Sequence, residues 1–162
     1  MTTTHPTPPD PRPLPEGASP ARLVVCERSG RWAVALRQAL GPAAGDLTET
    51  RSVSDAWDLL ARCPASFVVA ELDSATADLL LARLAWLQRD FPLARVAIVA
   101  ARSWRRYEWL LRAAGAIDFV VSPRAIAPLA QAITRHLRHA PQPRLSLTDR
   151  IWTELPWATR GA

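Results

Sequence analysis

The sequence predicts a doubly wound α/β domain: a five-stranded parallel sheet with helices on both faces. Short, continuous, β-branched apolar runs recur between residues 21 and 140, as expected for strands covered on both faces. Between and after them lie five segments with apolar residues at helical spacing. Strands and helices alternating within this length imply right-handed crossovers into a parallel sheet.

Residues 1–20 hold seven prolines and almost no large apolar side chains, so they cannot bury enough surface to offset their ordering entropy. They are predicted to be a disordered, locally extended tail. The first strand is "RLVVC" (22–26), followed by the helix "RWAVALRQAL". A weaker run, "DLTET" (46–50), precedes "SDAWDLLARC", for which Ser54 is the predicted N-cap. Trp32 and Trp57 fall on the core faces of these two helices. The third run, "SFVVA" (66–70), is predicted to stop at Glu71, with Asp73 two residues on in a polar turn. In "ATADLLLARLAWLQRD", Trp86 projects away from the core positions Leu80, Leu84 and Leu87. The fourth run, "RVAIVAA" (95–101), leads into "SWRRYEWLLRAAG", read as one helix closed by Gly115. "IDFVV" (117–121) is the last strand, and "PLAQAITRHLRH" the last helix, with Leu129, Ile133 and Leu137 inward.

Beyond Pro141 the composition changes again, giving three parts: a tail over 1–20, a domain over 21–140 and a C-terminal segment over 141–162. The stretch "RLSLTDRIWTELPWATRGA" is too apolar for a solvating tail. Ser146 and Asp149 have capping-box spacing before Ile151, Trp152 and Leu155, and Pro156 stops the run. A helix this short forms only when docked. It docks either on the domain's own surface or on another protein, and the sequence leaves both open.

A chain of 162 residues fits one domain with short tails. No stretch approaches the roughly 20 apolar residues of a membrane span, and the N-terminus lacks a signal-peptide pattern, so the expected location is cytoplasmic with no membrane partner. Cys26 and Cys63 sit in or beside apolar segments and are expected to be buried thiols. With three scattered histidines, no metal site and no cofactor are expected. The net charge of +5 rests on 20 arginines and no lysine, which excludes chemistry that needs a lysine ammonium.

Ligands in doubly wound sheets bind beyond the carboxyl ends of the strands. Glu27 and Arg28, Glu71, Ala100 and Ser122 lie at four such ends. These positions carry a family likeness. "RLVVCERSGRWAVALRQAL" is similar to the first strand, acidic pair and first helix of a response-regulator receiver domain. "DAWDLLARCPASFVVAE" resembles the approach to the phospho-acceptor of such a domain, and "GAIDFVVSPRAIAPLAQAI" its fifth strand, lysine-proline step and last helix. The likeness covers roughly residues 21 to 140, with "DFVVSP" its most specific piece, and implies the flavodoxin-like (βα)5 fold.

A receiver takes up a phosphoryl group on an aspartate, with Mg²⁺ on an adjacent acidic pair and with a hydroxyl residue and a lysine on the phosphoryl oxygens. Carried over residue by residue, the resemblance puts Glu27 followed by Arg28 at the acidic pair. It puts Glu71 at the acceptor, Ala100 at the hydroxyl position and Ser122, still followed by Pro123, at the lysine. Mg²⁺ needs clustered oxygen ligands, and a guanidinium supplies a competing cation instead. With metal, hydroxyl and lysine gone, nothing remains to stabilise a transferring phosphoryl group. The resemblance therefore implies a degenerate pseudo-receiver that is not an enzyme. Asp73 shares the strand parity of Glu71 and becomes the acceptor only if the register slips by two, which restores none of the missing partners. Glu71 is expected to pair with Arg28; the plainer alternative is that both point to water.

With phosphotransfer absent, function is expected to lie in contact. The receiver signalling face corresponds here to "RSWRRYEWLLRAAGAIDFVV". Tyr107, Leu110, Leu111 and Ala114 share a core face, placing Trp109 opposite, between Arg105 and Arg112. An exposed tryptophan flanked by arginines is typical of an interface anchor, unless it lies flat over arginine stems or under a tail. Trp104, Arg105, Arg106, Trp109, Arg112, Phe119, Trp152 and Trp157 form the candidate interaction surface, with Phe119 at the family's aromatic switch position. The expected partner is a signalling protein, and a homodimer through the face from the fourth to the fifth helix is a second arrangement. The function expected is a phosphorylation-independent interaction or adaptor module in bacterial signal transduction. The alternative is a nucleic-acid or polyanion binder using Arg102, Arg105, Arg106, Arg112, Arg135 and Arg138, although no reading head is apparent.

Overall fold

The apolar runs become five parallel strands, β1 (Leu23–Cys26), β2 (Thr48–Thr50), β3 (Phe67–Leu72), β4 (Arg95–Ala100) and β5 (Asp118–Val120), in the order β2-β1-β3-β4-β5. The structure, a computed structural model, describes residues 14–143 apart from 16 and 46. The chain winds outward from β1 to β2, then returns to β3 and continues to β4 and β5. A crevice therefore opens beyond the carboxyl ends of β1 and β3, where the winding reverses.

Alternate residues along β1, β3 and β4 enter different cores, which is why these runs are largely apolar, whereas β2 at the sheet edge is the polar Thr-Glu-Thr. Leu23, Val25, Phe67, Val69, Ala97 and Val99 face α1 (Arg31–Leu40) and α5 (Ala127–His139), packing on Trp32, Leu36, Leu129 and Ile133. Val24, Cys26, Val68, Ala70, Val96 and Ile98 face the other way, toward α2 (Val53–Arg62), α3 (Ala77–Asp90) and α4 (Glu108–Ala113). Trp57, Leu60, Leu80, Leu84, Leu87 and Leu111 complete that second core. Trp32 and Trp57 are both buried, as their helical phase predicts.

Three local expectations are corrected. Strand β3 does not stop at Glu71 but runs through it to Leu72, which pairs in register with Ala100. The cap of α2 is Ser52, not Ser54: Ser52 has the extended backbone of an N-cap, and its hydroxyl accepts from the Asp55 N–H at 3.0 Å. The fourth helical segment starts as a 3₁₀ helix over Arg102–Tyr107 and becomes α-helical only at Glu108. In a 3₁₀ helix residues three apart eclipse, so Trp104 and Tyr107 come together with ring centroids 5.4 Å apart and pack against the second core. Gly115 does close α4. At φ 118 it supports the paired bonds Ala116 N–H to Leu111 C=O and Gly115 N–H to Arg112 C=O of a Schellman motif.

On α5, the His136 Nε2–H donates to the Ala65 carbonyl at 2.8 Å, and the ring meets Phe67 edge-on. Burial pushes the His136 pKa below its ordinary value, against the hydrogen bond to Ala65, and Arg95 adds to the depression. The unfolded chain thus binds a proton near about pH 6.5 that the folded chain resists. Stability is full above that pH and is lost as pH falls toward the folded pKa. His136→Gln, which keeps a donor for Ala65, is expected to lose less Tm than the wild type between about pH 7.5 and about pH 5. Equal losses would remove His136 as a source of acid sensitivity.

Candidate functional site

The crevice at the winding reversal is bordered by the end of β1, the turn into α1 and the end of β3. Glu27, the first residue past β1, is 2% exposed. Its Oε2 accepts from the Trp32 N–H at 3.0 Å and the Ser29 hydroxyl at 3.3 Å, while Oε1 accepts from the Ala33 N–H. These amides belong to the first turn of α1, where helix N–H groups have no partner of their own. The residue at the cap position, Gly30, has no side chain to supply one. Glu27 therefore serves as the cap of α1.

Glu71 faces the same corner from β3. Its Oε1 accepts from Arg31 Nη2 at 2.9 Å and its Oε2 from the Arg28 N–H at 3.2 Å. The expected pairing of Glu71 with the Arg28 guanidinium is thus corrected, since Arg31 supplies the cation and Arg28 only its backbone. Gly30, at φ 78, turns the chain so that Arg31 enters α1 facing β3. The Arg28 guanidinium lies outside, 3.8 Å from Asp73 Oδ2 in an exposed pair of the kind worth little.

Asp73 lies beyond β3 and shapes the next turn. Its Oδ1 accepts from the N–H groups of Ala75 and Thr76, each at 2.8 Å, and the Thr76 hydroxyl donates to the Glu71 carbonyl at 3.1 Å. Asp73 acts here as a turn-former, so the two-residue register slip is not adopted. Arg51, past β2, closes the far side by donating to the carbonyls of Glu27 and Arg28 at 3.1 and 2.8 Å. The Cys26 thiol at the end of β1 is pushed up by burial, with the Thr50 hydroxyl pulling the other way and Asp55, Glu71 and Asp73 adding to the rise. A thiol held protonated is a poor nucleophile.

Ala100 is fully buried at the end of β4 and offers no hydroxyl. Ser122 caps the 3₁₀ turn Pro123–Ala125, accepting from the Arg124 N–H at 3.3 Å. Glu27, Arg28 and Glu71 are thus brought together at one corner, joined by Arg31, Arg51 and Thr76, which the sequence reading did not single out. The signal for Arg31 was its place at the first position of a helix just after Arg28. The fit of this corner to Mg²⁺ is poor. Both oxygens of Glu27 and of Glu71, and Oδ1 of Asp73, already accept from N–H or O–H donors, and a hard cation needs such oxygens free. Among the described residues, no group of three or more His, Cys, Asp or Glu side chains is placed to hold a metal.

On the opposite flank, Trp109 is 72% exposed, as its helical phase predicts. Arg105 and Arg106 are exposed as well, and Arg106 lies 4.9 Å from the Tyr107 ring centroid. Arg112 is committed within the fold: its guanidinium meets Glu108 at 3.0 Å, Asp118 at 2.9 Å and the Ile117 carbonyl at 3.0 Å. Phe119 is a core residue at 8% exposure. Trp104 packs on the core, bordering with Leu72, Leu81 and Tyr107 a groove of about 310 Å³. Trp86 is exposed beside Arg89, whose guanidinium carbon is 5.1 Å from the ring centroid. Trp152 and Trp157 lie outside the described residues.

No protein-family model matches the sequence, and no curated protein matches it. Solved structures do. A response regulator from Thermotoga maritima is 19% identical with a TM-score of 0.58, over 74% of this chain and 98% of that one. A response regulator receiver domain from Rhodospirillum rubrum is 17% identical with a TM-score of 0.52, over 77% and 100%. A CheY-like protein, tadZ, from Pseudomonas aeruginosa is 16% identical with a TM-score of 0.56, over 78% and 98%. At these identities the likeness is one of fold, the flavodoxin-like five-stranded arrangement that receiver domains share.

Proposed function

We propose that this chain is a pseudo-receiver: a receiver-like domain that acts without phosphorylation, by contact with another signalling protein. The observation that carries the reading is the corner around Glu71. Its carboxylate is neutralised by Arg31 and accepts a hydrogen bond from the Arg28 amide, and the nearby Glu27 carboxylate is committed to capping α1. A phosphoryl acceptor needs a carboxylate oxygen free to attack and cations arranged around the developing charge. Here the cation sits on the would-be acceptor itself. Ala100 and Ser122 supply neither the hydroxyl nor the ammonium that would complete such a site.

Contact through the α4 flank is supported by Trp109, a large aromatic left in solvent beside exposed arginines. The polyanion reading is weakened by Arg112, whose guanidinium serves Glu108 and Asp118. Salt separates the two readings, because phosphate neutralisation by arginines weakens steeply with ionic strength and a tryptophan-anchored protein contact does not.

The deciding experiment is amide NMR of the full chain with Mg²⁺ and beryllofluoride, a phosphoryl mimic. The expected outcome is no Mg²⁺-dependent movement at Arg28, Glu71, Ala100 or Ser122. Site-specific shifts there would overturn the proposal and restore a phosphate-responsive switch.

A further inference from the structure

At the amino-terminal edge of the sheet, away from the crevice, lies an open groove of about 610 Å³. Phe67 at the start of β3 is its floor, and Leu93, Ile117, Ala132 and Pro141 form apolar walls. Ile117, the residue before the edge strand β5, is 39% exposed, a large aliphatic side chain left partly in solvent at the groove. Arg135 and His139, both exposed, stand with Arg95 along its border and make that border basic.

We propose that this groove is the docking site of the chain's own C-terminal segment, residues 149–157. The described chain leaves α5 through Ala140 and Pro141, which are themselves part of the groove wall, and its description ends at Pro143. Five residues separate Pro143 from Asp149, a reach of up to about 20 Å when extended, ample for a return to a wall two residues upstream. The segment reads "DRIWTELPW" and presents Ile151, Trp152, Leu155 and Trp157 as apolar groups for the walls. It carries two carboxylates, Asp149 and Glu154, against one guanidinium, Arg150, so its net charge is opposite to that of the border.

Tethering makes the docking intramolecular, at an effective concentration of about millimolar for a short linker, so a helix too short to persist alone can be held. Residues 1–13 are a poor rival for the groove, since they contain no Leu, Ile, Phe or Trp. The groove beside Trp104 lies at the carboxyl end of β3, on the far side of the sheet from Pro141.

The test uses the full-length chain and methyl NMR of Leu93, Ile117 and Ala132. Trp152→Ala, a change outside the described residues, is expected to shift these methyls while leaving those of Leu72 and Ala100 in place, and the shifts should survive about tenfold dilution. Ile117→Asp is expected to remove hydrogen-exchange protection from residues 149–157. Groove methyls indifferent to Trp152→Ala would overturn the proposal. Shifts that vanish on dilution would also overturn it, by assigning the groove to a second copy of the chain.

Discussion

Trp32→Ala is expected to lower stability by about 4 kcal/mol, whereas Trp32→Phe should stay within about 1 kcal/mol of the wild type. Trp32 is fully buried in the core between the sheet, α1 and α5. Truncation to alanine loses the packing of the indole and leaves a cavity that rigid neighbours fill only in part. Phenylalanine also leaves a gap, but a smaller one. It removes something costly as well, because the indole Nε1 has no hydrogen-bond partner among the described residues, and an unpaired buried donor costs about 1–3 kcal/mol. The two terms oppose each other in the Phe variant and not in the Ala variant. The consequence reaches the crevice, since the Arg31 guanidinium carbon lies 5.1 Å from the Trp32 ring centroid while the same group pairs with Glu71. Phenylalanine keeps an aromatic face under Arg31 and alanine does not. Urea unfolding at unchanged m reads both variants. A Phe variant as damaged as the Ala variant would mean that Nε1 is satisfied after all.

The sheet and its helices were legible because both faces of β1, β3 and β4 are covered, which imprints nearly continuous apolar runs on the sequence, while the edge strand β2 left only the weak run ending in Thr-Glu-Thr. The end of β3 was not. A carboxylate inside a strand looks like a terminator until its partners are known, and those of Glu71 lie 40 or more residues away, Arg28 on the turn into α1 and Arg31 at its first position. The choice between Arg28 and Arg31 as the cation was hidden for a related reason. It depends on the left-handed turn at Gly30, which pattern alone does not place. Ser52 and Ser54 both precede an acceptable helix start, and backbone conformation decides between them. The fourth helix was misread in its first half because aromatic residues three apart also satisfy a helical period, and the 3₁₀ segment that brings Trp104 onto Tyr107 has the same spacing. Trp109 was legible since a fully exposed helical phase needs only the positions of its core neighbours. What the sequence could not supply at the site was side-chain commitment: Glu27 to α1, Asp73 to its turn, Arg112 to Glu108 and Asp118.

Glu27→Ala is expected to destabilise the chain by about 3 kcal/mol, and the sign of the effect bears directly on function. A carboxylate kept for a metal ion sits among like charges, and removing it in the absence of metal relieves repulsion and raises stability. Glu27 is placed otherwise. It is buried, it accepts from two amides of the first turn of α1 and from the Ser29 hydroxyl, and an anion there also meets the positive end of the helix dipole. Its removal orphans the amides of Trp32 and Ala33, both of which belong to buried residues, at about 1–3 kcal/mol each. Glu27→Gln retains one acceptor but turns an amide donor toward the other N–H, so its cost should fall between the wild type and Glu27→Ala. Thermal unfolding of the three proteins, with and without Mg²⁺, separates the two roles. A capping carboxylate gives a graded loss and a wild-type Tm indifferent to Mg²⁺. If Glu27→Ala were instead more stable, or the wild-type Tm rose with Mg²⁺ as binding to the folded state requires, the corner would be a metal site and the chain a switch rather than a fixed surface.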